Sequence, residues 1–154
     1  MAARQTPATR ALGDAKASFE VLEYEHDPGA DSYALEAATA LGLDPAAVLK
    51  TLVVDAGGAM TVCLVPSGAQ LDLRALGKRA AMAQPQRAEK VTGYVTGGIS
   101  PFGQRRRLPT LVDESALAHE TVYVSGGRRG LEIAIAPADL VALTGAETRP
   151  LARA

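Results

Sequence analysis

Apolar positions in this chain come in short runs, broken often by glycine and proline, which predicts many short elements instead of long helices. Two runs rich in branched residues, Lys50–Asp55 and Met60–Pro66, flank Ala56-Gly57-Gly58-Ala59 and predict a central β-hairpin. Thr6-Pro7 reads as an N-cap with proline at the first helical position, opening a helix to about Ala17. Phe19–Glu25 is strand-like, with a slip of alternation between Val21 and Leu22 that predicts a bulge. A turn at His26–Asp31 leads to a helix capped by Ser32, with Leu35, Ala38 and Leu41 as its apolar face and Gly42 as its stop. Asp44-Pro45 starts a helical turn. Further on, short helices are expected at Asp72–Leu76, Pro85–Lys90 and Pro137–Leu143, with a helical turn at Glu114–Ala118. Strands are expected at Ala80–Ala83, Leu111–Asp113, Thr121–Val124 and Leu131–Ala136.

Helices and strands are interspersed, yet connections such as 56–59 and 125–130 are too short for parallel crossovers. The expected architecture is therefore α+β, with a mixed, largely antiparallel, curved sheet and helices packed outside. No repeat or linker divides the chain, so residues 1–154 are read as one domain. Aromatic residues are only 4% of the chain, so aliphatic side chains must build the core. No apolar run is long enough to span a membrane and the N-terminus lacks a secretory apolar segment, which predicts a cytoplasmic protein.

Charge alters this picture locally. Residues 1–69 carry four Lys/Arg against nine Asp/Glu, whereas residues 70–130 carry ten against five, within a chain of net charge −1. Such a protein is no general polyanion binder; it presents either one basic face suited to a phosphate backbone or an ordinary solvated surface. Thr92–Asp113 concentrates four glycines, two prolines and Arg105, Arg106 and Arg107. It reads as a constrained loop beside positive charge, a place for an anionic ligand.

Several chemistries are missing. Two histidines, His26 and His119, give no metal-ligand spacing, so no metal and no cofactor is expected. No Ser or Cys has an evident His–Asp partnership, and GGISPFGQ lacks the Lys-Ser/Thr ending of a phosphate-binding P-loop. Cys63, mid-strand between Val62 and Leu64, reads as a buried structural thiol. Lys50 interrupts an apolar run; it either snorkels to solvent or stands as a point charge at a pocket edge. Gly97-Gly98-Ile99-Ser100 and Ser125-Gly126-Gly127 are either plain turns or backbone donor walls for an oxyanion, the second beside Arg128 and Arg129. Donors without a nucleophile suit a site that positions and stabilises.

With those residues in view, the segments YEHDP (24–28), LKTL (49–52), QLDL (70–73), TGYVTGGISPFGQRRRLPT (92–110) and YVSGGRRGLEI (123–133) resemble the YbaK/EbsC family of stand-alone editing proteins, typified by Cys-tRNA(Pro) deacylase. The likeness runs in order from Thr6 to the last helix. It implies a YbaK-like, barrel-like sheet and hydrolysis of the ester joining a wrong amino acid to tRNA. Such editing is needed because a small apolar pocket separates similar substrates poorly. The resemblance makes Lys50 the central residue, followed by Thr51, and places the substrate pocket at Tyr24, Tyr33, Gly97, Ser125 and Glu132, with Gly98 and Ser100 completing the donor wall. Tyr33 and Glu132 depart from the family's commoner Phe and Asp. In the cysteinyl editors the substrate's own thiol attacks its ester. The resemblance also implies an aminoacylated tRNA acceptor end as partner, with Arg105, Arg106, Arg107, Arg128 and Arg129 as candidate contacts, and prolyl-tRNA synthetase as a second partner. Two rival readings remain: a water-using editor of Ala-tRNA(Pro) or a wider set, and a non-catalytic module that binds tRNA or a synthetase.

Overall fold

The computed structural model describes residues 5–27, 29 and 33–153. Branched residues and the Gly57-Gly58 turn form the predicted hairpin: β2 (Leu49–Ala56) pairs antiparallel with β3 (Ala59–Pro66) from Leu49–Pro66 to Ala56–Ala59. This hairpin is the middle of a five-stranded sheet ordered β5 (Ala80–Met82), β2, β3, β6 (Thr110–Asp113), β9 (Glu147–Arg149). β5 is antiparallel to β2, while β3–β6 and β6–β9 are parallel, so the sheet is mixed. The parallel pairs are reached through helices α3 (Pro85–Thr92) and α4 (Pro137–Thr144), each opened by proline and ended by a left-handed glycine. A second, antiparallel sheet is ordered β1 (Glu20–Glu23), β8 (Leu131–Ile135), β7 (Val122–Ser125). The two sheets meet at a parallel bridge between Val48 and Tyr123, with the Tyr123 amide donating to the Ala47 carbonyl at 2.9 Å.

The fold is thus α+β with mixed, mainly antiparallel strand pairing, as expected, but among the described residues the strands form three separate sheets and no closed barrel. The aliphatic core joins them: Leu49, Val53, Val62 and Leu64 from the hairpin pack with Val122, Val124, Ile133 and Ile135.

Several local expectations change. The first helix, α1 (Pro7–Asp14), ends three residues earlier than predicted, followed by Lys16 at φ 55°. The β1–β8 register runs unbroken from Glu20–Ala134 to Glu23–Leu131, so there is no bulge at Val21-Leu22. Helix α2 (Tyr33–Leu41) buries Ala37 and Ala38, while Leu35 of the predicted apolar face is exposed. The Ser32 cap and the part of the preceding turn at Pro28 lie outside the described residues. Asp44-Pro45 forms a plain turn, and Leu73–Leu76 and Glu114–Ala118 are 3-10 helices capped by Asp72 and Asp113.

The pattern gave no sign of β4 (Gln70–Leu71), β9 or β10 (Ala152–Arg153). They are specified from a distance: buried Asp113 accepts hydrogen bonds from the amides of Leu151 and Ala152, both at 2.8 Å. Burial alone would raise the Asp113 pKa, but the hydrogen bonds from Ser115, Leu151 and Ala152 outweigh it and lower it. Lone residues at a chain end carry no periodicity to announce such a strand.

Candidate functional site

Where the two sheets join, a cavity of about 520 Å³ opens. The Val48–Tyr123 bridge brings β2 alongside β7, and two residues further on each strand stand Lys50 and Ser125. Ser125 lies opposite Glu132 in the β7–β8 register, so one row across three strands carries Lys50, Ser125 and Glu132 to the same cavity wall. Thr51 joins them, and the apolar lining comes from neighbours such as Leu49, Val53 and Ile99. Met82, Pro85 and Ala88, from β5 and α3, complete the lining; their weak local pattern had offered no hint of this.

Lys50 is half-buried, and burial lowers its pKa from the usual lysine value. Among the described residues no ion pair involves it. A cation held without a carboxylate beside it is free to meet an anionic or carbonyl oxygen. Glu132 is 5% exposed, and burial pushes its carboxyl up to about 8. Tyr24, whose amide donates to the Gly130 carbonyl at 3.0 Å, lies outside the cavity lining. Its hydroxyl is raised chiefly by burial, with the charge of Glu132 adding to the effect.

The glycine loop has a narrower role than its sequence suggested. Gly97 lines the cavity at φ +91°, and a Cβ there would stand 2.6 Å from ring carbons of Tyr33 and 2.7 Å from Arg129 Nε. Gly98 and Ser100 are buried outside the lining. The Gly98 amide donates to the Val95 carbonyl at 2.8 Å, and Ser100 Oγ accepts from the Phe102 amide at 3.3 Å, so both shape the loop. A Cβ on Gly98 would meet Arg128 Cα at 2.8 Å, which shows that the loops 97–98 and 128–129 pack backbone to backbone. Tyr94 and Phe102, the aromatics of the basic segment, are buried, and the Tyr94 hydroxyl donates to the Phe102 carbonyl at 2.5 Å; neither is exposed to stack on a base.

The arginines divide. Arg105, Arg106 and Arg107 are exposed and away from the cavity lining; Arg105 Nη1 donates to the Lys90 carbonyl at 3.4 Å. Arg128 Nη1 donates to the Arg129 carbonyl at 3.0 Å. Arg129 stacks on Tyr33 and donates to the Thr96 carbonyl at 2.6 Å, a role within the fold that its sequence context did not reveal.

No Cys or His lines the cavity. Cys63 is fully buried within β3, its thiol pushed up to about 11 by burial, and His26 Nδ1 is 2.9 Å from Glu36 Oε1. Among the described residues no group of three or more His, Cys, Asp or Glu is placed to hold a metal ion, and no helix is long and apolar enough to cross a membrane. Around this largely apolar cavity stand the Lys50 ammonium, the buried Glu132 carboxyl, the hydroxyls of Thr51, Thr96 and Ser125, and Gly97.

Comparison with known proteins bears on the family. The aminoacyl-tRNA editing domain family matches residues 27–143. Over 148 residues the chain is 32% identical to EbsC of Enterococcus faecalis, a protein named for Cys-tRNA(Pro)/Cys-tRNA(Cys) deacylase activity, covering 92% of this chain and 89% of that one. A crystal structure described as a trans-editing enzyme for prolyl tRNA synthetase superposes with TM-score 0.82 at 29% identity, covering 97% and 99% of the two chains. The hypothetical protein APE2540 superposes with TM-score 0.84 at 25% identity, covering 96% and 100%. The chain belongs to the aminoacyl-tRNA editing domain family, in its YbaK/EbsC branch.

Proposed function

We propose that this chain is a single-domain deacylase that removes cysteine from Cys-tRNA(Pro). In this reading the substrate's sulfur forms a bond to its own ester carbonyl and the bond to the ribose oxygen breaks. The thiol proton passes to that oxygen, releasing tRNA and a cyclic thiolactone. Lys50 orients the ester through a carbonyl, ribose or phosphate oxygen, and backbone amides near Gly97 stabilise the developing oxyanion. One such donor contributes on the order of 10²–10³ in rate. Alignment of thiol and carbonyl supplies most of the rest, since intramolecular attack avoids the entropy cost of encounter.

The strongest support is the cavity lining, which gathers Lys50, Gly97, Ser125 and Glu132 while offering no Cys or His to attack or to activate a hydroxyl. The likeness to EbsC supports cysteine as the acyl group. The acceptor end of an aminoacyl-tRNA is then the partner, with Arg105–Arg107 as candidate phosphate contacts and prolyl-tRNA synthetase as the source of the mischarged tRNA; that work belongs in the cytoplasm. The volume of about 520 Å³ also favours a second reading, since it leaves room for water as the attacking group and for alanine as the acyl group.

A deacylation panel on Cys-, Ala- and Ser-tRNA(Pro) with wild type and Lys50→Ala tests both. The expected result is fastest release from Cys-tRNA(Pro) and a loss of about 100-fold or more in Lys50→Ala. Preference for Ala-tRNA(Pro) would select the water route. Wild-type rates in Lys50→Ala would remove Lys50 from the mechanism, and tRNA binding without hydrolysis would make the chain a binding module.

A further inference from the structure

The chemistry above leaves three polar atoms of the cavity without a task. Glu132 Oε2 on β8, Thr51 Oγ1 on β2 and Thr96 Oγ1 in the glycine loop are buried, and none makes a hydrogen bond. All three residues line the cavity. Burying a carboxyl oxygen without a partner is unfavourable, so such an atom in a binding site marks where a ligand supplies a donor.

Lys50 does not fill that need. It shares the cavity but forms no ion pair with Glu132, and burial is the sole cause of the Glu132 shift. The other titratable or charged groups nearby are Tyr24 after β1 and Arg128 and Arg129 in the β7–β8 loop. The hydroxyl of Tyr24 senses the charge of Glu132, Arg128 donates to the Arg129 carbonyl, and Arg129 stacks on Tyr33 and donates through Nη2 to the Thr96 carbonyl, while its buried Nε makes no hydrogen bond. Three oxygens able to accept, one of them on a carboxyl that can give up its proton, in a wall that is otherwise largely apolar suit a small group that brings donors and a positive charge.

We infer that Glu132 and Thr51 form a receptor for the free α-ammonium of the acyl group, so that the site accepts esters of unblocked amino acids and rejects N-acylated or peptidyl ones. This rests on the editing reading and names the substrate class within it. Before binding, the carboxyl is protonated. When the ammonium docks, the Glu132 O–H proton leaves to solvent and a carboxylate–ammonium pair remains. A hydrogen bond to a charged group in such a setting corresponds to roughly 10- to 100-fold in affinity.

The test uses a tRNA whose terminal adenosine carries cysteine through a stable amide, with its amine either free or acetylated, and calorimetry at pH 6.5 in two buffers of different ionisation enthalpy. At that pH a peptide-like α-amine is protonated, and Glu132, with its carboxyl pushed up to about 8, is too. Wild type should bind the free amine at least about 10-fold more tightly than the acetylated form, releasing close to one proton. Glu132→Gln should bind the two alike and release none, and Thr51→Val should narrow the preference; circular dichroism confirms that each variant is folded. Equal affinity of wild type for the two forms overturns the receptor, and if Cys-tRNA(Pro) is still deacylated, the editing reading survives it. Binding of neither form overturns both.

Discussion

The guanidinium carbon of Arg129 lies 4.3 Å from the centroid of the Tyr33 ring, so a residue of the β7–β8 loop covers an aromatic that walls the cavity. The same side chain donates to the Thr96 carbonyl, which ties α2, the glycine loop and the β7–β8 loop into one rim. Arginine–aromatic contacts contribute about 0.5–2 kcal/mol depending on their desolvation. Arg129→Ala is expected to lower unfolding stability by about 1–2 kcal/mol and to raise KM for aminoacyl-tRNA more than it lowers kcat. Arg129→Lys should not restore it, because an ammonium lacks the planar face and fork of a guanidinium. Urea unfolding and steady-state deacylation measure the two effects.

Gly97 and Gly98 should fail differently on substitution by alanine. At Gly97 the new methyl meets the Tyr33 ring and Arg129, side chains that can move, at a backbone φ of +91°. At Gly98 it meets the backbone of Arg128, which cannot give way without shifting a loop. Gly98→Ala should cost about 1–3 kcal/mol through overpacking. Gly97→Ala should cost about 1–2 kcal/mol for the left-handed backbone and, by displacing Tyr33, should cost proportionately more activity. Melting temperatures and deacylation rates measured on both variants check the contrast.

Glu132 makes stability depend on pH. Its folded carboxyl, pushed up to about 8, holds a proton that the unfolded chain loses near 4.5. Between those values the folded state binds more protons, so stability falls as pH rises, by at most about 1.4 kcal/mol per pH unit, and levels off above 8. Glu132→Gln should flatten that slope. Denaturant midpoints from pH 4 to 9 in both proteins measure it, and a wild-type curve that rises through this window would exclude a raised carboxyl pKa.

Cys63 should be chemically silent. It is fully buried, packs with Val54, Val65 and Leu151, and its thiol is held near 11 by burial. Cys63→Ala should keep wild-type deacylation and lose about 1 kcal/mol of stability from the small cavity. Thiol reagents should label the wild type only as it unfolds. Loss of activity in a folded Cys63→Ala protein would give the thiol a part in the mechanism.

The hairpin was legible because branched residues on either side of Gly57-Gly58 satisfy strand propensity and turn chemistry together. The prolines that open α1, α3 and α4 were legible for the same local reason. Periodicity misled at Leu35, which α2 exposes, and at Val21-Leu22, where the partner strand holds the register straight. β9 and β10 were hidden because β6 and its Asp113 specify them, not their own side chains.

By itself the sequence determined the hairpin and the main helices, the buried thiol and, through LKTL and GGISPFGQ, the family. Those depend on neighbours along the chain, where short-range sterics and capping act. Only the tertiary structure decided which polar residues meet. The Val48–Tyr123 bridge joins strands 75 residues apart, aligns Lys50 with Ser125 and Glu132, and buries Glu132 Oε2 without a partner. It also assigned the Gly98 amide and the Arg129 guanidinium to the fold itself. A side chain's charge state and its free valences depend on burial and on contacts from distant strands, and neither is written in local order.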